Sequence, residues 1–502
     1  MKKRILALIL TLAMVVPMLI ACGADDAKQP AATTPKAGDT TAAPTGTTAP
    51  AVTEPDYKPE LPEVRYEGEQ LVIIHRDPMA STYKEYYLMA EERNGDLLND
   101  AVFKRNTTIE EKYGIEIVNV IDNKTHTAVS TAAQSQSDEY DLAFPQMMNI
   151  SSLCTSGYLY NLHDLDYVDF SKPYWDSNLD KDTTLYGKLY AMVSDISLMT
   201  MLGTRGIIFN RDLAKENNLE DPYDLVHNNQ WTLDKLIEMS HAVSEDLNGD
   251  QKFDDMDRYG MLTESSNYRY FVVSGGVDIF TFDADGNPVS GFTNEKTIDI
   301  IEKWRTVYND ETHAIDYNDL GGTAGAAALD GSKWNYGRQI FARGQILFLQ
   351  NAASTFNSIA DFGMEQEYGI LPQPKYDSAQ EDYYCMPDYN TTVLVIPSTN
   401  DDYERLGILL EDMAYQSSQT ILPSYYETVI KIRRAPVPEV AEMLDVIKNS
   451  ICYHVGMIYN IDADSIIGQA STSGNIASVF KIGEKRMNAQ IKKIAEAVQN
   501  LP

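Results

Sequence analysis

Cysteine is nearly missing from this 502-residue chain: Cys22, Cys154, Cys385 and Cys452 are the only four, and no two are spaced Cys-x-x-Cys. That excludes a disulfide framework and a zinc site of ordinary spacing. The three cysteines after Cys22 read as small buried hydrophobes, although one bridge with a thiol left over fits the same count. Histidine is also sparse, with seven residues scattered without ligand spacing. Gly-x-Ser-x-Gly, His-Glu-x-x-His and a phosphate-binding glycine loop are absent, and with them the common signatures of esterases, metalloproteases and nucleotide-dependent enzymes. Positive charge is short too: 41 Lys and Arg face 74 Asp and Glu, and the formal charge of −33 makes nucleic acid a poor partner. No internal repeat suggests stacked modules.

Long apolar runs are missing as well, with one exception. Lys2, Lys3 and Arg4 precede a mostly apolar stretch, Ile5 to Ile20, that is short for a spanning helix and ends at Leu19-Ile20-Ala21-Cys22. This tetrapeptide resembles the lipobox of bacterial lipoproteins. The resemblance implies a signal peptide over 1–21, cleavage before Cys22, acylation of Cys22, and anchoring to the outer face of the cell membrane by lipid chains. Removing 1–21, with three positive and no negative charges, brings the net charge from −33 to −36. Residues 23–63 are Ala, Thr, Pro, Gly and charged residues with little to bury. Such a segment cannot offset its ordering entropy and reads, with Cys22, as a tether over 22–63 reaching about 35 Å.

Residues 64–502 have the composition of an ordinary globular chain, long enough for two cores. Short apolar runs alternate with helical periodicity: a strand over Leu71–His75, a helix over Leu97–Lys112, a strand over Ile115–Val120. Further strands are predicted over Asp141–Phe144, Gly206–Phe209, Gln345–Leu349 and Thr391–Ile396. Helices are predicted over Leu233–Glu245, Thr297–Tyr308, Tyr403–Tyr415, Val440–Lys448 and Ile476–Gln499. The alternation argues for an α/β fold with crossover helices.

Six short pieces then come in a telling order: His75-Arg76-Asp77 after the first strand, Asp141-Leu142-Ala143-Phe144, Ile208-Phe209-Asn210-Arg211, Trp231-Thr232, Gly275-Gly276 and Phe341-x-x-Gly344. Each is common alone. Together with the leader and tether, they resemble the extracellular solute-binding lipoproteins of ABC importers, in the carbohydrate-type family that includes maltose-binding protein. The resemblance implies a periplasmic-binding-protein-like fold of two lobes joined by a hinge around a ligand cleft. The first lobe would take 64–200 and 346–398, the second 201–345 and 399–502. It also implies a sugar ligand, membrane permease subunits as partners, and no catalysis. A glycosidase with two carboxylates brought together by the fold, or a surface adhesin, are the alternative readings.

Sugars need aromatic faces for their C–H sides and polar groups for their hydroxyls. Residues at strand ends and hinge loops are therefore the candidates: Arg76, Gln146 and Asn351 from the first lobe, and Asn267, Tyr268 and Trp334 from the second. Trp231, beside the helix-capping Thr232, reads as packing.

Asp246-Leu247-Asn248-Gly249-Asp250-Gln251-Lys252-Phe253-Asp254-Asp255-Met256-Asp257 reads as a calcium loop. Asp246, Asn248, Asp250, the Lys252 carbonyl and Asp257 would supply oxygen at positions one, three, five, seven and twelve. Gln251 stands where the tight turn ordinarily has Gly, and Asp257 where Glu is usual.

Overall fold

The computed structural model describes residues 57–78, 88–431 and 437–501. The leader, Cys22 and the tether up to residue 56 lie outside the described residues.

The first sheet is built on β1 (Gln70–His75), an apolar run buried along most of its length, as parallel strands covered on both faces require. It pairs in parallel with β2 (Glu116–Ile121) and β3 (Leu142–Ala143), in the order β2-β1-β3 and with Ile73 opposite both Asn119 and Leu142. The helix Leu97–Tyr113 crosses over between β1 and β2. Asp96 caps its start by accepting from the Asn99 N–H, and Gly114, at φ 71°, closes its end with an N–H to the Glu110 carbonyl. The predicted strand 391–396 forms isolated bridges instead of a continuous ladder: Gln146 with Thr392, Met192 with Leu394, Ala143 with Val395.

The second sheet has five strands: β4 (Arg205–Asn210), β5 (Tyr259–Thr263), β8 (Ala314–Asp316), β9 (Ile346–Ala352) and β10 (Tyr368–Leu371), in the order β10-β4-β9-β5-β8. β4 runs antiparallel to β10 and β9, while β5 runs parallel to β8 and β9. β4 and β9 are buried at every position. A small hairpin, β6 (Phe280–Phe282) with β7 (Pro288–Ser290), stands apart.

Two segments carry the chain between the sheets, 192–205 and 371–392. They run antiparallel where Thr204 bridges Pro387, with the Arg205 N–H on the Met386 carbonyl at 3.2 Å and the Asp388 N–H on the Gly203 carbonyl at 3.0 Å.

Pairing corrects the expected partition at two points. Ile346–Ala352, predicted to reopen the first part, is the central strand of the second sheet, and the chain reaches the first sheet again only after Asp388. An unbroken apolar strand says that it is buried on both faces, not in which sheet. The stretch after residue 399 is likewise not confined to the second part. Its helix Tyr403–Lys431 packs along Leu97–Tyr113: Asp412 accepts from the Tyr113 hydroxyl at 2.8 Å, Arg405 pairs with Asp141 at 2.8 Å, and Glu411 accepts from Tyr174 and Trp175. Further on, Arg305 of the second part donates to the carbonyls of Ala470 and Ser471.

Candidate ligand-binding site

β9 turns from apolar to polar at its end, where Leu349 gives way to Gln350 and Asn351. Because β5 is parallel to β9 and β4 antiparallel, Thr263 and Arg205 meet those residues at one edge of the sheet. The polar groups there are bonded to one another. Thr263 donates to Gln350 Oε1 at 2.9 Å, Asn267 donates to Thr263 Oγ1 at 3.2 Å, and Gln350 donates to Gln373 Oε1 at 3.1 Å.

A second line of contacts leads from this edge to both sides. Asn351 Nδ2 donates to the Tyr317 hydroxyl at 2.9 Å, the Tyr317 ring lies 4.5 Å from Trp334, and the Lys333 ammonium lies over the Trp334 ring at 4.7 Å. In the other direction, Arg205 donates to Asn351 Oδ1 at 3.3 Å and pairs with Asp388 at 2.5 Å. Asn390 donates to Asp388 at 2.8 Å, and Gln146 donates to Asn390 Oδ1 at 3.1 Å. The line therefore runs from an aromatic pair of the second part, through the two crossing segments, to the loop after β3.

Its electrostatics follow from burial and pairing. Burial would raise the Asp388 carboxyl, but Arg205 beside it and hydrogen bonds from Asn390 bring it down to about 2. Burial pushes the Tyr317 hydroxyl up to about 12, so it stays protonated. Arg338 and Arg76 each bury an Nε that meets no hydrogen-bond partner among the described residues, as does Asn267 Oδ1. The group thus combines aromatic carbon, amides and a charge-neutral ion pair, chemistry of the kind that a neutral polyhydroxylated molecule needs.

Of the predicted residues, Gln146, Trp334 and Asn351 lie on this line, and Asn267, 1% exposed, joins it through Thr263 and Gln350. Tyr268 is turned elsewhere. Its hydroxyl reaches the Asp464 carbonyl at 3.4 Å, and its ring occupies the space that a Cβ on Gly468 would need. Arg76 is half-buried just after β1 and does not join the group. Trp231 is fully buried with its indole N–H on the Pro372 carbonyl at 2.9 Å, as its packing role predicts, and Thr232 caps the following helix. Sequence reasoning missed Arg205, Tyr317, Asp388 and Asn390. Arg205 directly precedes the predicted strand 206–209 and Asn390 directly precedes 391–396, so the strand-end criterion would have found these two of the four.

The loop 246–257 is held shut by its own side chains. Asp246 accepts from the N–H groups of Gly249 and Gln251, Asn248 from Asp250, Asp250 from Lys252, and the buried Asp257 from Leu247 and Asp254. Gln251 has φ 65°, so the left-handed turn is made despite the missing glycine. Among the described residues, no group of three His, Cys, Asp or Glu side chains is arranged to hold a metal ion. Cys154, Cys385 and Cys452 are unbridged, the first two buried.

An ABC substrate-binding protein of Listeria monocytogenes in complex with cycloalternan superposes with a TM-score of 0.53 at 12% identity, over 85% of this chain and 100% of that one. A solute-binding protein of Thermotoga lettingae bound with tagatose scores 0.49 at 14% identity, over 85% and 100%. The GacH receptor of Streptomyces glaucescens, solved unliganded and with acarbose, scores 0.48 at 15%, over 87% and 100%. The first of these carries the fold: a two-lobed, periplasmic-binding-protein-like α/β architecture. No curated protein matches the chain. The profile of the bacterial extracellular solute-binding proteins matches residues 104–405, more than half of the sequence and the part that holds both crossing segments. The chain belongs to this family of extracellular solute-binding proteins.

Proposed function

We propose that the protein is the substrate-binding lipoprotein of an ABC importer, that its solute is a mono- or oligosaccharide, and that it delivers this solute to membrane permease subunits without changing it. The observation that carries the reading is the line of contacts from Trp334 and Tyr317 through Asn351, Arg205, Asp388 and Asn390 to Gln146. It supplies an aromatic face and neutral polar groups from both sides of the paired crossing segments. The cycloalternan carried by the Listeria protein supports a sugar as cargo. Closure would follow from a sugar touching both parts, which favours the closed population.

Isothermal titration with a panel of mono- and oligosaccharides tests this. Binding of one sugar class, recovered chemically unchanged, is the expected result; hydrolysis would establish the glycosidase alternative, and silence across the panel would redirect the search to other solutes. Anchoring through Cys22 predicts incorporation of labelled palmitate that Cys22→Ala abolishes. Calcium in the loop 246–257 is part of the same reading and rests on the sequence pattern, which places oxygen-bearing residues at Asp246, Asn248, Asp250 and Asp257. Calcium is expected to raise the melting temperature of metal-stripped protein and EGTA to reverse it; no shift would remove the ion from the reading.

A further inference from the structure

The line of contacts described above is neutral as a whole, because its charges are matched. Arg205 pairs with Asp388, and Lys333, over the Trp334 ring, has the Glu264 carboxylate at 3.9 Å. One cation beside the line is not matched: Arg338 forms no ion pair among the described residues.

The helix Lys333–Ala342 brings Arg338 to the site. Trp334 and Arg338 stand four positions apart, about one turn, so they share a face of the helix, and Gly337 lies against the Tyr317 ring. Arg338 Nη2 donates to Thr355 Oγ1 at 3.5 Å, and Thr355 belongs to the helix Ala353–Ser358, into which β9 runs directly after Asn351 and Ala352. Arg338 is therefore adjacent both to the aromatic pair and to the polar end of β9. It also acts on the Tyr317 hydroxyl more strongly than Arg205 does, holding back the rise that burial imposes. Tyr317, Asn351 and Thr355 are buried, whereas Trp334 and Arg338 each keep part of their surface open to solvent. A sugar arriving from solvent meets these two first.

The guanidinium has donors to spare. Nη1 donates to Asn335 Oδ1 at 2.9 Å and Nη2 to Thr355, which leaves one N–H on each terminal nitrogen. A carboxylate takes two such N–H groups on its two oxygens and matches the charge as well. A neutral hydroxyl would leave the charge unmatched, and a phosphate monoester would bring nearly two negative charges to one positive.

We propose that Arg338 is a specificity-determining residue and that the sugar is an acid sugar: a uronic acid unit whose ring lies on Trp334 and whose carboxylate is held by the two free N–H groups of Arg338. This refines the sugar reading given above and rests on it.

Titration calorimetry of the purified protein with matched pairs tests the proposal: galacturonate with galactose, glucuronate with glucose, mannuronate with mannose, and the short oligomers of each. In the pair that binds, the acid is expected to bind roughly tenfold or more tightly than its neutral counterpart, an advantage that shrinks at high salt. Arg338→Gln should remove that advantage and leave the neutral counterpart unchanged. Arg338→Lys, which keeps the charge without the fork, should recover part of the loss. Equal affinity for acid and neutral forms, a loss in Arg338→Gln that falls alike on both, or glucose 6-phosphate bound more tightly than glucuronate would each overturn the proposal. A neutral sugar bound without its acid would overturn it and leave the sugar reading standing, whereas silence from every sugar, acid and neutral, would overturn both.

Discussion

Asp388 is the residue on which the two sides of the candidate site depend. Its carboxyl is held at about 2, below its unfolded value, by Arg205 and Asn390. A depressed carboxylate adds stability above its unfolded pKa of about 3.9, and that stability, roughly 2 kcal/mol here, is lost as pH falls through 2. Asp388→Asn removes this contribution and leaves Arg205 buried without its counter-ion. An expected cost of about 3–5 kcal/mol, read by urea unfolding at pH 7, should shrink as wild type is acidified towards pH 2. His454 and Asp176 set a second pH balance. Burial lowers His454 to about 4 and raises Asp176 to about 6, against the hydrogen bonds Asp176 takes from Tyr453 and the amides of Asn178 and Leu179. Between pH 6.5 and 4, acidification costs stability at His454, because the unfolded state binds its proton first. Over nearly the same range it adds stability at Asp176, because the folded state does. The two slopes oppose. Asp176→Asn is therefore expected to make the melting temperature fall on acidification from pH 6.5 to 4, and His454→Asn to make it rise over that range; parallel profiles for both variants would refute the balance.

At the scale of elements, the site depends on how closely the helix Lys333–Ala342 approaches the strands. Gly337 sits against the Tyr317 ring and the Leu262 side chain, leaving no room for a Cβ. Gly337→Ala must push Tyr317 away, although alanine is the better helix former. The expected result is a net loss of about 1–3 kcal/mol from overpacking, together with weaker sugar binding, since Tyr317 holds both Asn351 and Trp334. A variant that is destabilised yet binds sugar unchanged would remove Tyr317 from the site. Element boundaries were legible where capping is local: Asp96 and Gly114 around the first helix, Thr232 before Leu233–Ala242, Asn475 before Ile476–Gln499. They were not legible where burial overrides pattern. The helix predicted over Tyr403–Tyr415 continues to Lys431 through Pro423. β5, β8 and β10 are too short for a periodicity of their own and are strands because β9, β5 and β4, respectively, supply partners.

For the molecule as a whole, a parallel sheet and a mixed sheet are joined through the segments that meet at Thr204 and Pro387. A hinge of two antiparallel segments bends without breaking either sheet, because their mutual hydrogen bonds move as a unit. Sugar at saturation is therefore expected to reduce the radius of gyration in small-angle scattering at constant mass. A radius unchanged by a sugar that calorimetry shows to be bound would mean that capture proceeds without closure.

Composition and local pattern determined the α/β alternation, the start of the helix at Leu97, and the packing role of Trp231 beside the capping Thr232. These depend on residues within a turn or two of each other, so they can be read along the chain. Only the tertiary structure decided that β9 belongs to the second sheet, that Arg205 meets Asp388 across 183 positions, and that Tyr268 turns to Asp464 and away from the site. Such pairings are selected by which distant surfaces bury one another, and that choice depends on shape and loop closure over the whole chain, about which a neighbouring residue carries no information.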